Sequence, residues 1–185
     1  MTRNINKLTG HLKLFSEVRK DRKLFFETGT YLGQGVAAAL EAGYSRIISF
    51  EIEKSKAMEA ATYFIEDDRV EIKHASSCSM QFVEAVKSIK EPSVFWLDAH
   101  PDGVGPNPLI TELLFIGASP YAHGILIDDR RLFEKYRVTE DLLLSVLKAM
   151  GRMVKVSYMT VRERFPDDVM YLELVPNPAI RDTTT

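Results

Sequence analysis

The sequence predicts an α/β fold, doubly wound around a mostly parallel sheet of seven strands, and three observations carry that prediction. Short apolar runs alternate with helical patterns five times along the chain. Four of those runs end in acids, at Glu27, Glu51, Asp98 and the pair Asp128-Asp129. The last two runs follow each other with no helix between them, which predicts a closing antiparallel pair.

Each element has its own local reason. Residues 8–20 place Leu8, Leu12, Leu14, Phe15 and Val18 among charged residues, the pattern of a short amphipathic helix. The first strand, near 23–27, runs straight into a glycine loop with Gly29, Gly33 and Gly35. Val36 to Leu40 is strongly helical, and Gly43 stands where such a helix would be capped. A strand from Arg46 ends near Glu51, and a helix over 54–64 rich in Ala and Met follows. Residues 70–75 alternate with period two, and Ser77 or Ser79 would cap a helix over 80–89.

The second half repeats the design. Residues 93–98 form a strand-length apolar run ending at Asp98, followed by a loop over 99–107 containing Pro101, Gly103, Gly105 and Pro106. Asn107-Pro108 is a good helix start. Gly124 to Asp129 is a fifth strand, and Thr139 caps a helix to about Met150, with Glu140 and Asp141 at its positive end and Gly151 beyond it. Strands over 153–159 and 169–175 are joined by the polar segment 162–168, and 177–185 reads as a frayed tail. No linker or repeat divides the chain, so residues 1–185 form one domain.

Composition narrows the function classes. A formal net charge of −2 leaves no electrostatic footprint for nucleic acid or an anionic membrane. The single Cys78 excludes an internal disulfide and fits a reducing compartment. No apolar run reaches membrane-spanning length, and the first residues lack the apolar core of a signal peptide. The expectation is a cytoplasmic protein with a small-molecule substrate and no nucleic-acid or membrane partner, conceivable also as a homodimer.

The acids point to where that substrate binds. The carboxyl ends of parallel strands share one edge, so Glu27, Glu51, Asp98 and Asp128-Asp129 converge on one crevice, where open α/β sheets bind ligands. A solvated strand end would explain any one of these acids, but not four in the same structural place. An acid ending the second strand, ~20 residues past a glycine loop, accepts hydrogen bonds from ribose hydroxyls. The glycines are nevertheless not those of a dinucleotide fingerprint, because Tyr31 stands where a middle glycine would be expected. No diphosphate cradle is indicated.

Glu27-Thr28-Gly29-Thr30-Tyr31-Leu32-Gly33-Gln34-Gly35 resembles motif I of class I S-adenosylmethionine-dependent methyltransferases, particularly the small cation-dependent O-methyltransferases typified by catechol O-methyltransferase and those acting on sugars or natural products. Phe50-Glu51-Ile52 is similar to that family's ribose-binding segment, and His74-Ala75-Ser76-Ser77 to its adenine-contacting segment. Phe95-Trp96-Leu97-Asp98 and Leu126-Ile127-Asp128-Asp129 resemble the strand ends that supply its divalent metal ligands. The likeness runs from about Leu24 to Leu132. It implies a Rossmann-like fold that binds S-adenosyl-L-methionine through Glu27, Thr28, Gly29, Tyr31, Gly33, Glu51, Ile52, Ser76, Ser77 and Asp98. It further implies a Mg²⁺ or Mn²⁺ ion on Asp98, Asp128 and Asp129, and O-methylation of a small hydroxylated acceptor.

The residue types suit that chemistry. Asp98 and Asp128 would end adjacent strands ~4.8 Å apart, and hard oxygen ligands favour Mg²⁺ or Mn²⁺ over Zn²⁺. The ion would hold two acceptor oxygens and lower the pKa of the attacking hydroxyl. Where the catechol enzyme has its basic lysine, this chain has Pro101, and His100 is the substitute base. Asp98 and His100 are thus the catalytic candidates. Asp128-Asp129 could otherwise be a plain turn or cap. His11, His74 and His123 read as structural, Tyr31 as packing near the methionine moiety, Trp96 and the methionines as core, and Cys78 as a buried thiol. Two other readings compete. Asp98-Ala99-His100-Pro101-Asp102 resembles the binuclear manganese motif of arginase-type ureohydrolases, although the partner motifs of that family are absent. A non-catalytic cofactor-binding or partner module would keep the same fold.

Overall fold

A computed structural model describes residues 9–99 and 107–175 of the chain. Helix α1 (Thr9–Arg19) leads into β1 (Leu24–Thr28), α2 (Gln34–Glu41), β2 (Arg46–Glu51), α3 (Lys54–Tyr63), β3 (Val70–His74), α4 (Met80–Ser88), β4 (Val94–Leu97), α5 (Leu109–Ala118) and β5 (Gly124–Ile127). A 3₁₀ turn (Arg130–Leu132), α6 (Glu140–Ala149), β6 (Val154–Met159) and β7 (Val169–Leu174) complete it. The seven strands form one sheet in the order β3-β2-β1-β4-β5-β7-β6.

The inner strands are largely apolar because both faces are covered. All five residues of β1 and all four of β4 are buried, and period-two alternation sends their side chains to opposite sides. Leu24, Phe26, Phe95 and Leu97 face α4, α5 and α6, packing with Phe82, Leu113, Ile116 and Leu147. Phe25, Val94 and Trp96 face α1 and α2, packing with Phe15, Val36 and Ala39. The Phe15 ring meets Phe25 at 4.7 Å and Trp96 at 5.2 Å between centroids. Trp96 is core, as its position inside a strand implies. His123 is structural too: its Nδ1 accepts from the Ser93 N–H and its Nε2 meets the Ser119 hydroxyl.

Two of the core assignments need correction. Cys78 is exposed rather than a buried thiol. Three of the methionines are not filler either: Met58, Met80 and Met153 are exposed, whereas Met170 sits in the core on the inner strand β7 and Met159 packs against the core.

The helix boundaries follow capping chemistry. The Ser79 hydroxyl accepts from the Phe82 N–H and that of Thr139 from the Leu142 N–H. Asn107 Oδ1 accepts from the Leu109 N–H at 2.8 Å.

The chain starts at β1, moves outward to β3, then returns to place β4 on the other side of β1. That reversal leaves a crevice between the carboxyl ends of β1 and β4. The closing pair is antiparallel, but β7 inserts between β5 and β6 and is antiparallel to both. So β6 runs with the parallel strands and only β7 is reversed. No helix among the described residues is long and apolar enough to cross a membrane.

Candidate functional site

The glycine loop hangs on the ends of its neighbouring strands. The N–H groups of Gly29 and Thr30 both donate to the Phe50 carbonyl, at 2.9 and 3.1 Å, and the Asp98 N–H donates to the Thr28 carbonyl at 3.0 Å. A Cβ at Gly29, which has φ +86°, would lie 2.5 Å from the Asp98 carbonyl oxygen. Glycine is therefore required there both by conformation and by the close approach of two backbones. Tyr31 also takes a left-handed φ of 48°, a conformation that costs a non-glycine residue about 1 kcal/mol. The reason lies in its backbone, whose N–H donates to Glu51 Oε2 at 2.7 Å. The Glu53 N–H donates to Glu51 Oε1 at 2.8 Å. Glu51 thus bridges the glycine loop and the start of α3 with both oxygens. The Tyr31 ring is half-exposed, with the Lys56 ammonium 4.7 Å from its centroid.

Glu27 lies beneath this loop, 1% exposed. The Ser49 hydroxyl donates to its Oε2 at 2.5 Å, and Thr30 Oγ1 lies 2.6 Å from that hydroxyl. Its other oxygen presses on the first turn of α2, where a Cβ at Gly35 would come within 1.8 Å. Burial raises the Glu27 carboxyl to about 8; the Ser49 bond opposes the rise and Glu51 adds to it. A carboxyl so placed is mostly protonated at neutral pH, and a neighbouring positive charge would favour its ionised form. Helix α2 has no side-chain cap, and the group at its N-terminus is this acid. That agrees with the absence of a diphosphate cradle.

The second half of the crevice is an acid cluster. Parallel pairing of β4 with β5 aligns Leu97 with Ile127, so Asp98 and Asp128 leave the sheet side by side. Ligand atoms of Asp98, Asp128 and Asp129 all lie within 4.8 Å of one another. Burial, then Asp128, Asp129 and Glu27, push Asp98 well above the usual carboxylate range. Burial and Asp129 push Asp128 to about 6. Two guanidinium groups answer these acids. Arg162 Nη2 bonds both oxygens of Asp128, at 3.2 and 3.1 Å, and Asp129 Oδ1 at 2.7 Å. Arg131 Nη1 bonds Asp129 Oδ1 at 2.6 Å and also Asp168.

The third loop of the crevice follows β3, whose end is tied to β2 through the Ala75 N–H and the Glu51 carbonyl at 3.0 Å. Ser76 Oγ accepts from the Cys78 N–H, Ser77 is buried, and Ile52 is 71% exposed beside Glu51. Glu112, on the first turn of α5, is fully buried and raised to about 7 by that burial. The Thr28 and Ser77 hydroxyls approach closely enough to oppose the rise, but neither makes a well-formed hydrogen bond to its oxygens.

The fold therefore gathers the predicted residues, from the ends of five strands, into three adjoining groups. Glu27, Thr28, Gly29, Tyr31, Gly33, Glu51 and Ile52 form one half, Asp98, Asp128 and Asp129 the other, and Ser76 and Ser77 the flank. His100 and Asp102 lie outside the described residues. Gly35, Ser49, Glu112, Arg131, Arg162 and Asp168 went unrecognised as site residues. Only Gly35, in the loop pattern, and Arg131, two places after Asp129, left any trace in the sequence.

No protein-family model matches the chain, and no curated protein matches it by sequence. Solved structures do match its fold. An O-methyltransferase from Bacillus cereus, in complex with S-adenosylhomocysteine, is 14% identical over 95% of this chain and 82% of its own, with TM-score 0.58. TomG from Streptomyces achromogenes, an O-methyltransferase of tomaymycin synthesis in complex with S-adenosylmethionine, is 17% identical over 96% and 82%, with TM-score 0.60. A fibrillarin pre-rRNA processing protein from Methanococcus jannaschii is 13% identical over 84% and 67%, with TM-score 0.59. The sheet order, the crevice and these likenesses together give the chain the fold of the class I S-adenosylmethionine-dependent O-methyltransferases.

Proposed function

We propose that this protein transfers a methyl group from S-adenosyl-L-methionine to a hydroxyl of a small acceptor, with a divalent ion assisting. One observation carries the reading: Glu51, ending β2, is fixed by the Tyr31 and Glu53 amides so that a ribose-binding acid faces the glycine loop at the sheet's reversal point. The residues fit the cofactor. It is cationic at sulfur and at its amino group, and Glu27, Glu51 and Asp98 surround the loop with acids. Gly29 and Gly33 keep the backbone open, while Thr28, Tyr31, Ile52, Ser76 and Ser77 line the remaining walls.

The residues also fit a hard divalent ion. Asp98, Asp128 and Asp129 offer only carboxylate oxygens, close enough together to share one ion. When bound, the cofactor supplies an electrophilic methyl group, and Mg²⁺ or Mn²⁺ would lower the pKa of an acceptor hydroxyl. The chain's own part is positioning: Asp98, touching Gly29, links cofactor half to acid half, and His100 is the proposed base that takes the acceptor's proton. The ureohydrolase alternative is not favoured by the fold.

Calorimetric titration with S-adenosylhomocysteine tests the proposal. Micromolar binding is expected, and absence of binding at millimolar concentration would sink it. Binding without methyl transfer to any hydroxylated acceptor would instead identify a non-catalytic cofactor module.

A further inference from the structure

The acid cluster at the ends of β4 and β5 already holds a cation, supplied by the chain itself. A single nitrogen of Arg162 lies within 3.2 Å of both Asp128 oxygens, 2.7 Å from Asp129 Oδ1 and 3.7 Å from Asp168 Oδ2. These Asp128 and Asp129 carboxylates are the ones that, with Asp98, can offer oxygens to one ion. A guanidinium nitrogen at that focus excludes a metal ion. Both positions need the same lone pairs, and the two positive charges would repel at short range.

The two arginines are not equally fixed. Arg131 stacks on the Phe165 ring at 4.1 Å, its own N–H donates to Asp168 Oδ1 at 3.0 Å, and its partner Asp168 is buried. Arg162 sits just past β6, its ring contact is 5.8 Å from the same Phe165, and its side chain is 42% exposed. It can turn into water by changing rotamer, whereas Arg131 cannot leave without unpacking Phe165. The charges agree with exchange. Four aspartates face two guanidinium groups here, so a divalent ion replacing Arg162 brings the cluster closer to neutrality.

We propose that Arg162 is a displaceable internal cation, which holds Asp128 and Asp129 together in the metal-free chain and competes with the divalent ion for them. The inference rests on the reading of Asp98, Asp128 and Asp129 as a metal site. Arg162 then sets the affinity of the ion and keeps the acids from repelling one another before it arrives.

Titration of the full-length chain with Mn²⁺, followed by the electron paramagnetic resonance of the free ion, tests this directly. Arg162→Met is expected to bind Mn²⁺ at least tenfold tighter than the wild type. It should also melt lower without metal and recover on adding Mn²⁺. Equal or weaker binding by the variant, with the wild type binding, overturns the competition and leaves the metal site standing. No binding by either protein up to millimolar Mn²⁺ overturns the metal site itself. Should Arg162→Met fail to fold, phenylglyoxal labelling of the wild type, mapped by mass spectrometry, gives an independent reading. Mg²⁺ should accelerate modification at Arg162, and an unchanged or slower rate overturns the proposal.

Discussion

Glu27 makes the metal-free, cofactor-free protein less stable than it need be, and the cost depends on pH. Its carboxyl ordinarily titrates at 4.5 and is raised to about 8 in the fold by burial. Between those values the folded chain keeps a proton that the unfolded chain has released, so stability falls as pH rises through the window and levels off above it. At ~1.36 kcal/mol per pH unit the whole window amounts to about 5 kcal/mol, of which about 3 kcal/mol is lost between pH 5.5 and 9. Glu27→Gln removes the titration and keeps the shape, and the Ser49 hydroxyl can still donate to its amide oxygen. Glu112, also raised to about 7, titrates in both proteins and cancels from the difference. Thermal melts of wild type and variant at pH 5.5, 7 and 9, without cofactor, should show a gap that widens in favour of Gln. At about 2–4 °C per kcal/mol for a chain of this size, the widening is about 6–12 °C. A gap that stays constant with pH refutes the reasoning, because Glu27 would then be ionised in the folded chain throughout. The variant should lose cofactor affinity at least tenfold while gaining stability.

Other substitutions probe other parts of the crevice. Glu51→Ala frees the Tyr31 and Glu53 amides and should weaken S-adenosylhomocysteine binding by more than tenfold in calorimetry, with about 1–3 kcal/mol lost in urea unfolding. Gly35→Ala places a Cβ 1.8 Å from the Glu27 carboxyl, so Glu27 must move; cofactor binding should fall sharply, while the double variant Gly35→Ala/Glu27→Ala should recover the stability that the single change loses. Asp98→Asn should abolish Mg²⁺-dependent methyl transfer while leaving cofactor affinity within about threefold, since the contact of residue 98 with Gly29 is through the backbone and Glu27 and Glu51 remain beside the loop. Activity indifferent to chelator would remove the metal from the scheme.

Much of this could be read along the chain, because the signals were local. Apolar runs of strand length, caps such as Ser79 and Thr139, and the glycine loop each depend on residues within a few positions of one another. The doubly wound sheet follows from their alternation, and the convergence of Glu27, Glu51, Asp98 and Asp128 follows from parallel strands sharing one edge. What could not be read depends on residues distant in sequence. Cys78 faces outward because the turn after β3 bonds Ser76 to its amide. The last strand is an inner one, since β7 pairs with both β5 and β6.

The crevice divides the same way. Sequence alone determined which acids stand at the strand ends and that a glycine loop opens beside them, since strand period and turn chemistry operate over a few residues. Only the tertiary structure decided what those acids meet. It set Gly35 against Glu27, brought Ser49 beneath it, and carried Arg162 across from the β6–β7 connection onto Asp128 and Asp129. Electrostatic partners are chosen by distance in space, and the segment 162–168 comes within reach of the acids only because β6, running parallel to β5, carries the chain up to their edge of the sheet before β7 turns back.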